Sequence, residues 1–230
     1  MLTIRKASDR GAANHGWLKS FHTFSFANYY DPEHMGFSAL RVINDDTVEP
    51  GMGFGNHGHR DMEIISYVLE GDLAHKDSQG NIKTLPVGEF QLMSAGSGIT
   101  HSEYNHSKDR KLSFLQIWIE PSIKGQMPNY QQKNFGQDEG LTHVISRDGV
   151  GDTLQIKQNA NLYQLILKDT KHAELKSTSA RQYVHLISGE LAVNGVEIKS
   201  GDGLKISDEK LLSFSSLSDE PIKALVFELP

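Results

Sequence analysis

Two short segments carry the residue types that could do chemistry. His57-Gly58-His59 sets two imidazoles at i and i+2, which on a strand share one face about 7 Å apart along the chain. His101-Ser102-Glu103 repeats that spacing further on, with a carboxylate in the second place. If the two segments face each other, three nitrogens and one oxygen converge. That donor set suits an open site for a divalent transition metal better than a closed structural zinc site. The chain has no cysteine, so thiolate ligands, disulfides and thiol nucleophiles are excluded and histidine and carboxylate must do the holding. The remaining histidines, His15, His22, His34, His75, His106, His143, His172 and His185, stand outside such pairs and read as surface or packing residues. Gly51-Met-Gly-Phe-Gly55 is followed by no Gly-Lys-Ser/Thr and precedes strands rather than a helix, which argues against a phosphate loop.

The elements that must position these groups read as strands. Phe37–Ile43, Glu63–Leu69, Phe90–Met93 and Leu112–Ile119 are short runs rich in β-branched or aromatic residues. Ser78-Gln-Gly-Asn81 has the composition of a hairpin tip. No long amphipathic helix is evident. A weak internal repeat pairs Tyr67–Leu73 with His185–Leu191, and Gly88–Ser94 with Gly201–Ser207. Each copy is strand, glycine turn, strand. Two units that each close a small barrel would remove the exposed edges of short antiparallel sheets. The expectation is therefore an all-β chain with an N-terminal metal-binding domain over 1–122, a connecting region over 123–161 rich in Gln, Asn, Gly and Lys, and a C-terminal domain over 162–230. Superposing the copies puts Leu175, Ser177, Phe214 and Ser216 opposite His57, His59, His101 and Glu103, so the second domain should hold no metal.

The 230 residues include 23 Lys plus Arg against 29 Asp plus Glu, a net charge of −6, which argues against direct nucleic-acid binding. The start of the chain lacks the apolar stretch of a secretory signal, so a cytoplasmic location is expected. No apolar run approaches the ~20 residues of a membrane-spanning helix.

At these residues the sequence resembles the cupins. Gly51, His57, His59, Glu63 and Gly71 follow the order of the first cupin motif, and Gly88, His101 and Asn105 that of the second. Two features depart from the pattern. Glu63 lies one residue further from Gly71 than usual, which should turn it to the opposite strand face and away from the metal, and Ser94 replaces the usual proline. Both departures are similar to those of the pirins, a cupin branch resembled by His22–Asp31, Gly36–Asp45, Arg60–Gly71 and Met93–Glu103. The resemblance implies a bicupin of two antiparallel β-barrel or jelly-roll domains and one divalent transition metal, with iron the expected ion. It implies His57, His59, His101 and Glu103 as ligands. It also implies an activity like that of quercetin 2,3-dioxygenase, in which dioxygen opens a flavonol-like or other enolic or phenolic substrate and carbon monoxide is released. Glu103, the only carboxylate in that shell, is then the expected general base. An alternative that it implies is a regulatory protein acting through protein contacts, with iron as a redox switch. A metal-assisted isomerase or hydrolase is a third reading.

Overall fold

The computed structural model describes residues 1–230. The chain is almost entirely strands joined by glycine-rich turns. Strand β1 is Leu2–Arg5. There follow β2 (Gly11–Asn14), β3 (Leu18–His22), β4 (Leu40–Val48), β5 (Gly53–His59), β6 (Glu63–Glu70), β7 (Asp72–Asp77), β8 (Ile82–Pro86), β9 (Glu89–Ser94), β10 (Ile99–Asn105), β11 (Leu112–Ile119) and β12 (Asn129–Asn134). The rest are β13 (Gly140–Ser146), β14 (Leu154–Gln155), β15 (Asn161–Leu167), β16 (His172–Lys176), β17 (Arg181–Ser188), β18 (Glu190–Val193), β19 (Val196–Lys199), β20 (Gly203–Ser207), β21 (Leu211–Ser216) and β22 (Ile222–Leu229). The helical content is two 3₁₀ turns, Ala7–Asp9 and Val150–Asp152, and no helix is long and apolar enough to cross a membrane.

The strands form two units of the same plan. In the N-terminal unit a seven-stranded sheet, β12-β9-β6-β11-β4-β3-β2, accompanies a four-stranded sheet, β5-β10-β7-β8. In the C-terminal unit the orders are β1-β20-β17-β22-β15-β13-β14 and β16-β21-β18-β19. Matched position by position, the two pairs of sheets repeat one another, which is the bicupin architecture. The internal repeat seen in the sequence is its local trace, since Gly71 and Gly189 both sit in a tight turn between consecutive strands with positive φ, 77° and 87°.

The units are not cut where composition placed them. One comprises Gly11–Phe135 with Ile156–Gln158, the other Met1–Arg10, Gly136–Gln155 and Asn159–Pro230. The expected connecting region 123–161 is thus divided, supplying β12 to the first unit and β13 and β14 to the second. Strand β1 pairs with β20, Leu2 opposite Ile206 and Arg5 opposite Gly203, so the start of the chain belongs to the C-terminal unit. Polar, half-exposed strands such as β12, Asn-Tyr-Gln-Gln-Lys-Asn, lack the apolar alternation that marks a strand in sequence, although each completes a ladder.

Each unit buries its own apolar core. In the C-terminal unit Leu165, Val184, Leu186, Leu204, Leu212, Phe214 and Val226 belong to one cluster, with Leu175 packed against it. In the N-terminal unit one cluster gathers Val48, Val68, Leu112 and Phe114 and another gathers Ile64, Met93 and Ile99. Between these two clusters the inward positions turn polar: β6 reads Ile64, Ser66, Val68 and β11 reads Phe114, Gln116, Trp118. That polar belt is where the site lies.

Candidate metal centre

Strands β5 and β10 run antiparallel with His57 directly opposite His101 and His59 opposite Ile99. The register then shifts, Glu103 pairing with Phe54, so β5 carries an extra residue immediately before His57. Bulges of this kind re-aim side chains beside functional sites. Here the result is a ring cluster: His57 and His59 centroids are 4.8 Å apart, His57 and His101 4.5 Å, and His59 and His101 4.9 Å. One ring nitrogen from each lies within 4.8 Å of the others.

The tautomers suit metal binding. His57 Nδ1 is 2.7 Å from the carbonyl oxygen of Gly55. A carbonyl can only accept, so Nδ1 carries the proton and Nε2 keeps its lone pair. His59 Nε2 and His101 Nε2 stand 3.0 Å apart. Burial, followed by the neighbouring imidazoles, lowers both rings, His59 to about 4 and His101 to about 2. At neutral pH His59 and His101 are therefore uncharged, crowded against the ring of His57. His101 is fully buried and its Nδ1 has no hydrogen-bond partner. The donor set and its convergence fit a divalent transition metal.

Glu103 is fully buried on the same strand. Ser66 donates to its Oε1 at 3.2 Å and Gln116 Nε2 to its Oε2 at 2.8 Å. Burial raises its carboxyl to about 7, with Asp46 adding to the rise and the two donors opposing it. Glu103 does not join the group of His57 and His59. It forms a second, overlapping group with His101 and His75, again within 4.8 Å, so His101 is the residue common to both.

His75, set aside in the sequence as a packing residue, is thus part of the site. It lies opposite Glu103 in the β7–β10 register, its Nε2 is 3.1 Å from Asp77 Oδ2, and its ring centroid is 5.3 Å from that of His101. Asp77 is itself fixed by the backbone N–H groups of Gln79 and Asn81, the hairpin tip expected at Ser78–Asn81. The only sequence signal for His75 is its position two residues from Asp77 on the strand after the Gly71 turn. Glu63 lies elsewhere: its Oε2 accepts from Ser94 at 2.8 Å and from the Lys157 backbone at 3.1 Å. Ser66, three residues on and hence on the other face of β6, is the one that reaches Glu103.

A cavity of about 450 Å³ leads to the cluster and is bordered by His57 and His59. Trp17, Phe26, Phe54 and Trp118 supply aromatic walls. Trp118 stands edge-on to His59 at 5.0 Å and to Phe26 at 5.4 Å, and Trp17 edge-on to Phe54 at 5.3 Å. Asn44, Asp46, His22 and Gln116 border the same space.

Two cupin barrels, one with a histidine–carboxylate cluster at the foot of an aromatic cavity and one with an apolar interior, define a bicupin with a single candidate metal centre. The chain belongs to the pirin family: the pirin profile matches residues 3–119, and that of the quercetinase C-terminal cupin domain matches 143–229. It is 49% identical over 231 residues to a protein named quercetin 2,3-dioxygenase from Escherichia coli (strain K12), covering 100% of this chain and 99% of that one. The crystal structure of YhhW from Escherichia coli matches with a TM-score of 0.96 at 48% identity, covering 100% and 98% of the two chains. The structure of bacterial pirin YhhW in complex with nickel(II) matches with a TM-score of 0.95 at 48% identity, covering 100% and 99%.

Proposed function

We propose that the chain binds one divalent transition metal through His57, His59, His101 and Glu103 and is a quercetin 2,3-dioxygenase-like enzyme. The observation that carries this reading is an aromatic-walled cavity ending on a cluster of imidazoles next to a buried carboxylate. The relative named quercetin 2,3-dioxygenase supports the reaction class, and the nickel complex of YhhW supports a metal in this fold. Three imidazoles and a carboxylate suit Fe(II) as well as Ni(II), and iron is the ion assigned here.

When bound, the ion supplies Lewis acidity to the enol and carbonyl oxygens of a flavonol and a place for dioxygen. The protein supplies the rest. Trp17, Phe54, Phe26 and Trp118 orient a planar ring system and exclude water. The Gly55 carbonyl holds His57 in one tautomer. Glu103, the buried carboxylate beside the imidazoles, would take the enol proton as general base. Ser66 and Gln116 stabilise its ionised form. Both atoms of dioxygen enter the opened product and one ring carbon leaves as carbon monoxide, so no further reductant is needed.

The test is quercetin consumption and carbon monoxide release under air by metal-loaded wild type, Glu103→Gln and metal-free protein. Glu103→Gln should fold and turn over more slowly by ~10² to 10⁴, the factor typical of a lost general base, and metal-free protein should be inactive. A metal-replete wild type that neither consumes flavonol nor takes up dioxygen would overturn the enzyme reading in favour of a regulatory protein.

A further inference from the structure

The polar belt is longer than the Glu103 carboxylate requires. The register sets Gln91, Ser66, Gln116, Asn44 and His22 side by side on β9, β6, β11, β4 and β3, and all five are buried. Gln91 donates to Ser66, and Ser66 and Gln116 donate to Glu103. Beyond Gln116 the belt continues along the cavity with Asn44 and His22, joined by Asp46 two residues further along β4. Asn44 Oδ1, Asp46 Oδ1 and His22 Nδ1 have no hydrogen-bond partner, the Ser20 hydroxyl bonding the Asp46 carboxyl only through its other oxygen. Buried polar atoms left in this way are costly, and at the position of Asp46 the architecture does not demand one, since Leu165 of the apolar core stands there in the C-terminal unit. The corresponding row of the C-terminal unit starts with Leu204, Val184 and Val226, all in its apolar core, followed by Tyr163 and His143.

Unpartnered side-chain oxygens of Asn44 and Asp46, beside a slot with aromatic walls, match a flat ring system that carries hydroxyl groups. We propose that Asn44 and Asp46 are specificity-determining residues that accept hydrogen bonds from ring hydroxyls of a polyhydroxylated flavonol, at positions other than its metal-chelating enol. This rests on the flavonol reading above. A ligand that keeps the enol and carbonyl but lacks the other hydroxyls would leave these acceptors unpaired, which is how a polar site rejects a deoxy analogue.

The chain has two tryptophans, Trp17 and Trp118, and both line the cavity, so intrinsic fluorescence reports its occupancy without turnover. Metal-loaded protein is titrated without oxygen, first with quercetin and then with 3-hydroxyflavone, which retains only the enol and carbonyl. The expected result is quercetin binding at least ~10-fold tighter, with this ratio falling towards one in Asn44→Leu and Asp46→Ala and partly restored in Asp46→Asn. Metal content is measured alongside, because Asp46 acts on the Glu103 charge. A wild-type ratio near one overturns the proposal even if the variants fail to fold, and so do variants that weaken both probes equally. Quercetin turnover without discrimination removes this proposal and leaves the dioxygenase. Discrimination without turnover removes the dioxygenase and leaves the recognition, while binding of neither probe removes both.

Discussion

Glu63→Gln should retain the metal after dialysis against a chelator, whereas Glu103→Gln should lose a large share of it, as read by elemental analysis. Glu63 is engaged by Ser94 and the Lys157 backbone, and a glutamine oxygen can accept both bonds. Metal loss from Glu63→Gln alone would reverse the assignment of the two carboxylates. His185 gives a second residue-scale prediction, in the C-terminal unit and away from the metal. Burial, reinforced by the positive charge of Arg10, lowers it to about 3. Between about 3 and the unfolded value of ~6.5 the unfolded chain binds the extra proton, so acid favours unfolding and this contribution is lost as pH falls through that window. At pH 5 the loss approaches ~2 kcal/mol. Urea unfolding of metal-free protein at pH 7.5 and 5 should show a smaller drop in His185→Gln than in wild type. An equal drop would mean that His185 titrates normally in the fold. The pairs His57/His59 and His101/Glu103, proposed as ligands, stand out in sequence because i, i+2 spacing is local information. His75, Asn44 and Asp46 were not, because each acquires its role only when separate strands are brought into register.

At the scale of elements, the β5–β10 contact is the hinge of the site. A Cβ placed on Gly53 would lie 2.2 Å from the Glu103 carbonyl oxygen and 2.5 Å from Tyr104 Cα, backbone that cannot step aside. Gly53→Ala should therefore push β5 away from β10, lowering the unfolding temperature and weakening metal binding together, since His57 and His59 ride on the displaced strand. Thermal unfolding with and without metal checks this, and a variant with unchanged metal affinity would show that the close approach is dispensable. The apolar strands were visible in advance, Leu112–Ile119 with its observed limits and Glu63–Leu69 one residue short. The run at Phe37 was placed too early. Phe37 and Leu40 close a tight turn through reciprocal backbone hydrogen bonds, and the strand proper is Leu40–Val48. The bulge on β5 carries no composition signal, because it arises from how two strands mesh rather than from either alone.

At the scale of the whole molecule, one tightly bound metal per chain is expected. Both His/Glu groups able to hold an ion lie in the N-terminal unit. On β21, which occupies the sheet position of β10, the inward residues are Leu212 and Phe214. Mass spectrometry under native conditions should show a single ion, lost in His57→Ala plus His101→Ala; two ions per chain, one surviving those changes, would refute the assignment. The duplication was legible through its glycine turns, but the exchange of segments between units was not, since Leu2–Arg5 resembles any short strand until its partner is known. That exchange sets an order of events during synthesis. At typical elongation rates the roughly two hundred residues between β1 and β20 take on the order of 10 to 40 s to make. The N-terminal unit already has all its strands once Gln158 has emerged, while β1 waits with an unpaired edge. A nascent chain stalled before Gly203 would therefore carry a complete N-terminal unit joined to an unclosed second barrel, leaving Leu2–Arg5 open to chaperones or to a neighbouring polysome product.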